Sequence, residues 1–305
     1  MARLRRRDSD PNEQWKPGYE EGPRSEPSRL SKLRLPSLPA RKDRGAPHPP
    51  EPDLVQELGT VAVRERPTDG GPILSAENVV RTYPGSHRVS ALRGVSLQAV
   101  PGEFVALLGP SGSGKSTLLG LMSGLDEPLE GRVSWHGRPF GELTHRQLLD
   151  VRRRGMGIVF QSFGLLPTLS ALENAELPLR VAGADLRRAR QIATAWLERL
   201  GLANRLDNRV FELSAGQQQR VAIARALVIE PEVVLADEPI AEVDTDNAEL
   251  ILEALAEVSA RGGAVVCATH NPAALAHATR AVMLRDGRIE ASGTPSEVAG
   301  LLTTD

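Results

Sequence analysis

The chain has 305 residues, of which 40% are hydrophobic but only 3% aromatic, so an aliphatic core is expected and aromatic stacking is not its main binding strategy. A net charge of −2 gives no general attraction to nucleic acid, and no nucleic-acid partner is expected. The single cysteine, Cys267, excludes an intramolecular disulfide, and its apolar setting points to a buried hydrophobe rather than a reactive thiol.

Charge and proline are unevenly spread. Residues 1–72 carry 12 of the 23 prolines, and residues 1–49 hold 12 Lys and Arg against 7 Asp and Glu, leaving a mildly acidic remainder. Such a segment cannot bury enough apolar surface to offset its ordering entropy, so a disordered tail is expected over 1–72. Its basic half suits an anionic lipid or an acidic partner, or is simply solvated. The opening residues imitate the charged start of a signal peptide, but prolines and charges follow where an apolar segment belongs. No apolar run approaches the ~18 residues of a membrane helix.

Order is expected from Ile73. Residues 73–83 and 91–99 read as alternating strands around a loop at 84–88, with Tyr83 at the loop edge, where its ring could stack on a base. An apolar strand at 104–108 then runs into Gly109, Pro110, Ser111, Gly112, Ser113, Gly114, Lys115, Ser116 and Thr117. These residues fit G-x-x-x-x-G-K-[ST], and a helical run follows. The glycines let successive N–H groups turn toward phosphate oxygens, and the helix adds its positive end. Lys115 suits the outer phosphates of a nucleotide and the Ser116 hydroxyl suits Mg²⁺.

Residues 130–137 read as a short hairpin, and Arg152, Arg153 and Arg154 as a solvated charge run before a buried strand that Gln161 ends, in reach of a metal or water. From 162 the pattern turns helical, with a cap at Thr168 or Ser170, an internal break at Pro178 and Gly183, and an amphipathic run from 186 to 200 stopped by Gly201. This predicts a helical insertion, about 162–228, in an α/β domain. Ser214, Ala215, Gly216 and Gln217 open its last helix and form a second candidate anion site.

The strand at 233–236 ends in Asp237 and Glu238, over the crevice where open α/β sheets bind ligands. Strand alternation predicts that the two carboxylates diverge, Asp237 toward Mg²⁺ and Glu238 toward an attacking water. A further strand, 264–269, ends at His270, placed to bond a γ-phosphate or orient that water. A strand and turn over 281–290 and a helix over 296–302 close the domain.

Together these segments resemble the nucleotide-binding domain of ABC transporters over 73–302: phosphate loop, Gln161 as Q-loop, 213–217 as signature, 233–238 as Walker B strand, Asp244 for the D-loop and His270 as switch. Tyr83 falls where the family has its base-stacking aromatic. The resemblance implies a P-loop NTPase core of ABC ATPase type with an antiparallel β subdomain and a helical subdomain. It also implies ATP and Mg²⁺ as ligands, catalysis through Glu238, His270, Gln161 and Lys115, and metal contacts from Ser116, Gln161 and Asp237. Two such domains pair head to tail, so that Ser214, Ala215, Gly216 and Gln217 of one copy close over the nucleotide of the other. The resemblance further implies a transmembrane permease as partner, which would place the chain peripherally at the cytoplasmic face of the membrane.

The run 157–174 is similar to the branch of lipoprotein-releasing and macrolide-exporting ATPases. A switch that signals to a membrane partner without transport, as in the cell-division pair of the family, is the alternative. A soluble ATPase acting on ribosomes or DNA would have two nucleotide domains or a coiled coil, and neither is read here. Two departures stand out. Ala215 replaces the middle glycine of the signature, which predicts weakened or retuned closure, and Glu242 adds a charge near the dimer seam, which predicts slow turnover.

Overall fold

Two β-sheets organise the described residues, 71–84 and 89–302 of a computed structural model. The expected tail lies outside them except for its last two positions, as does most of the loop after Tyr83.

Strands β1 (Leu74–Tyr83) and β2 (Val89–Ala99) form the alternating antiparallel pair that the sequence predicts. After them come β3 (Phe104–Leu108), helix α1 (Lys115–Met122), and the hairpin of β4 (Glu130–Trp135) and β5 (Arg138–Pro139). Helix α2 (His145–Gly155) and strand β6 (Met156–Val159) follow, then α3 (Ala171–Val181), α4 (Leu186–Arg199) and α5 (Ala215–Leu227). The chain continues through β7 (Val233–Asp237), α6 (Thr245–Ala260), β8 (Ala264–Thr269), β9 (Arg280–Arg285), β10 (Arg288–Gly293) and α7 (Pro295–Leu302).

The first sheet is antiparallel, in order β2-β1-β4-β5, and the second has order β10-β9-β3-β8-β7-β6. All neighbours in the second are parallel except β10 with β9. Its central strands are buried on both faces, which is why β3, β7 and β8 read as continuous apolar runs. Phe104, Ala106 and Leu108 face one cluster with α3 to α6, while Val105 and Leu107 face another with α1 and the antiparallel sheet. Cys267 is fully buried in the former, and burial pushes its thiol far above the usual range.

Three expectations need correction. The arginines at 152–154 are the last turn of α2, a helix the sequence reading missed, opened by a Thr144–Gln147 capping box. Cations at that end favour the helix dipole, and Arg152 donates to the Gly124 carbonyl at 2.6 Å, so Arg152 has a structural role, while Arg154 is exposed just ahead of β6 as expected. The strand before Gln161 ends at Val159, two residues earlier than expected. Pro178 lies inside α3 rather than at a break; Leu179 beyond it is buried, and that packing holds the turn despite the missing N–H. The break comes at Gly183, at φ 98°, and Ser170 is the cap.

Candidate functional site

Register brings the site together. Leu108 pairs with Thr269, and Asp237 with Ala268, so β3, β8 and β7 end side by side. The loops that leave them therefore share one edge of the sheet.

The turn after β3 is closed to side chains. A Cβ on Gly109 would lie 2.1 Å from the Leu284 carbonyl oxygen, and one on Gly114, at φ 108°, 2.5 Å from that of Ala91. Glycine is required at both places, and the backbone forms a tight cradle. Helices α2 to α6 each have a side-chain cap; α1 has none, and no acidic residue occupies its first turn. Its leading N–H groups are left for an anion, and the buried Ser113 hydroxyl beside them has no partner among the described residues. Lys115 is 7% exposed; its Nζ donates to the carbonyls of Gly109 at 2.7 Å and Pro110 at 3.2 Å and stands 3.7 Å from Glu238 Oε1. These features fit a polyphosphate.

The carboxylates occupy two positions. Asp237 ends β7 with its Oδ1 buried and without a hydrogen-bond partner among the described residues. Burial raises its pKa, the nearby Ser116 hydroxyl lowers it, Glu238 raises it again and Lys115 opposes. Ser116 and Asp237 are neighbouring hard oxygen donors, which suits Mg²⁺. No group of three or more His, Cys, Asp or Glu among the described residues is placed to hold a metal ion, so phosphate oxygens and water would supply the remaining ligands.

Glu238 stands outside the strand, at φ 48°. Its divergence from Asp237 thus comes from a left-handed residue at the strand end, not from the alternation the sequence suggested. Its N–H donates to the Ala268 carbonyl at 2.7 Å, and Oε2 accepts from Thr269 Oγ1 at 2.9 Å. Oε1 lies 3.0 Å from His270 Nδ1. The imidazole is exposed while the carboxylate is 10% exposed, so His270 caps the acid from the solvent side. Thr269, fully buried, was missed by the sequence reading; only the strand register shows that it faces Glu238.

Other expected residues lie apart. Gln161 is exposed, and no side-chain hydrogen bond among the described residues ties it to Ser116 or Asp237. The loop beyond it is tied to α5, where Arg225 donates to the Phe163 carbonyl at 2.8 Å. Ser214 caps α5, accepting from the Gln217 N–H at 3.3 Å, and Gln217 Oε1 accepts from the Ser214 N–H at 3.0 Å. The Ser214 hydroxyl proton remains to be donated. Ala215 is the first residue of α5 and does not have positive φ, so its methyl imposes no backbone strain. A Cβ on Gly216 would lie 3.0 Å from the Glu242 carbonyl oxygen, so the D-loop rests against the signature helix. Asp244 caps α6 through the Asn247 N–H at 3.0 Å. No hydrogen bond or ion pair among those of the described residues joins Ser214 or Gly216 to Lys115.

A family model described as ABC transporter matches residues 92–241. An uncharacterized ABC transporter ATP-binding protein of Thermotoga maritima is 48% identical over 206 residues, which cover 68% of this chain and 88% of that one. The macrolide export ATP-binding/permease protein MacB of Chromobacterium violaceum is 43% identical over 76% of this chain but only 36% of its own length. Among solved structures, the dimeric post-hydrolysis state of the ATP-binding cassette MJ0796, bound to ADP and Pi, has 38% identity and a TM-score of 0.70, covering 73% of this chain and 98% of that one. The chain therefore belongs to the ABC transporter family as one of its ATP-binding, ATP-hydrolysing domains. Its likeness to MacB agrees with the branch read from 157–174. Among the described residues no helix is long and apolar enough to cross a membrane.

Proposed function

We propose that this chain is the ATPase subunit of an ABC exporter, dimerising head to tail around two ATP and driving a separate permease from the cytoplasmic face of the membrane. The observation that carries the hydrolytic part is the placement of the Glu238 carboxylate, between the Lys115 ammonium and His270 and fixed by Thr269.

Lys115 and the N–H groups of the 109–117 cradle bind the phosphates, and Ser116 with Asp237 would hold Mg²⁺. When bound, that ion draws charge off the phosphate oxygens. Glu238 accepts the proton of the attacking water, His270 shields it and orients the reacting phosphate, and Gln161 approaches on closure. Ser214 and Gly216 of a second copy complete the donor set. The dimeric MJ0796 structure supports that pairing, and the permease fused to the cassette in MacB supports a permease partner. Helices α3, α4 and α5, between β6 and β7, support a helical subdomain over about 162–228 within a domain of 73–302.

Membranes solubilised in mild detergent should yield the chain with a co-purifying transmembrane protein, and the complex should release phosphate from ATP. A chain that purifies alone, and with the same ATPase rate as in membranes, overturns the permease reading.

A further inference from the structure

Tyr83 ends β1 with its ring held in two ways. Its hydroxyl donates to Asp126 Oδ2 at 2.8 Å, and the Arg81 guanidinium carbon lies 4.9 Å from the ring centroid. Arg81 Nη2 in turn reaches Asp126 Oδ1 at 2.6 Å. The three side chains form a closed triangle in which a single carboxylate gives one oxygen to each partner. The Arg81 and Asp126 side chains are 22% and 27% exposed, so the pair is less screened than one on the open surface.

The members come from two places. Arg81 and Tyr83 are two apart on β1, where the pairing with β2 is irregular between Arg81 and Thr82, and the bond from Arg81 to Asp126 helps hold the guanidinium over the ring. Asp126 lies just past the end of α1, with its N–H bonded to the Gly120 carbonyl at 3.2 Å. Helix α1 begins at Lys115, so the triangle fastens the ring to the far end of the helix that carries the phosphate cradle.

An unrestrained tyrosine offers either face and a choice of tilts. Here one face is covered and the hydroxyl is fixed. Resting on the nucleotide reading above, we propose that Arg81 and Asp126 are positioning residues that make Tyr83 a one-faced platform for the nucleobase, set at a defined span from the phosphate cradle by α1. The ligand class is a nucleotide gripped at both ends, and a polyphosphate without a base will not sense the triangle.

A purely structural triangle would affect both ligands alike, and that difference is the test. Equilibrium binding of ATP and of inorganic tripolyphosphate is measured on the full chain, with steady-state ATPase alongside. Asp126→Ala is expected to weaken ATP binding about tenfold, within the worth of a base–aromatic stack, with tripolyphosphate changed by less than about twofold. KM should rise with kcat retained. Tyr83→Phe removes only the hydroxyl bond and leaves the ring, so it should shift the same way by a smaller factor even if Asp126→Ala fails to fold. Wild-type ATP binding in both variants, or equal loss of both ligands, overturns the inference. Tyr83→Ala separates it from the reading beneath: if that variant keeps the preference for ATP over tripolyphosphate, base stacking itself fails. If Tyr83→Ala abolishes the preference while Tyr83→Phe and Asp126→Ala keep it, only the positioning role fails.

Discussion

Thr269 Oγ1 donates to Glu238 Oε2 at 2.9 Å, so the last residue of β8 aims the carboxylate that follows β7. The same hydroxyl accepts from the Asn271 N–H at 3.0 Å. One buried side chain thus fixes both the acid and the turn that presents His270.

Replacing that hydroxyl leaves a half-buried carboxylate oxygen short of a donor. We expect Thr269→Val to lower turnover about tenfold with ATP affinity nearly kept, and Thr269→Ser to restore most of it. Phosphate release and calorimetric ATP binding check this; equal loss of both would assign Thr269 to folding alone.

Glu238→Gln keeps the shape of the side chain but cannot take a proton. Turnover should fall by about 10² or more while ATP binding persists and the dimer becomes stable to gel filtration. Near-normal phosphate release from the variant would remove Glu238 from the role of base.

Ala215 sits in ordinary helical geometry, so Ala215→Gly relieves no strain and costs α5 at most about 1 kcal/mol. It also takes away the one methyl where backbone is expected to approach phosphate. ATPase rate should be equal or faster; a clear fall would show that the methyl assists closure.

Gly216→Ala should act oppositely. Its new Cβ would press on the Glu242 carbonyl oxygen at 3.0 Å and push the D-loop outward. ATP-dependent dimerisation, followed by light scattering in the Glu238→Gln background, should weaken about tenfold. Monomer binding of ATP should be unchanged, because the cradle is elsewhere.

Burial holds the Asp237 carboxyl above its usual range, so the folded chain binds that proton more tightly than the unfolded chain does. The sign follows: stability is lost as pH rises from the ordinary carboxylate range up through the raised folded value, and the penalty vanishes below that range, where both states are protonated. Asp237→Asn should therefore raise Tm at pH 7, with the gain shrinking toward zero near about pH 4. A gain independent of pH would place its cause outside the ionisation of Asp237.

Local chemistry was readable in the sequence where one segment decides it. The phosphate cradle, the Ser214 cap and the doubly buried strands need only neighbours along the chain. What needed the fold was pairing at a distance: Thr269 meets Glu238 through strand register, and Asp126 meets Tyr83 through the length of α1. Helix α2 was hidden because its arginines dominate a short, mostly polar run whose only buried residue is Gly155. Gln161 lies in the turn beyond β6 rather than at the strand end, a difference hard to read in sequence because polar residues beyond a strand resemble those at its end.

Burial of Cys267 also has a practical side. With its thiol fully enclosed and held protonated, the chain presents no native site for maleimide labelling in the folded state. A cysteine placed at exposed Phe211, just ahead of the signature helix, would be the sole reporter, ready for spectroscopic distance measurements between two copies as nucleotide is added.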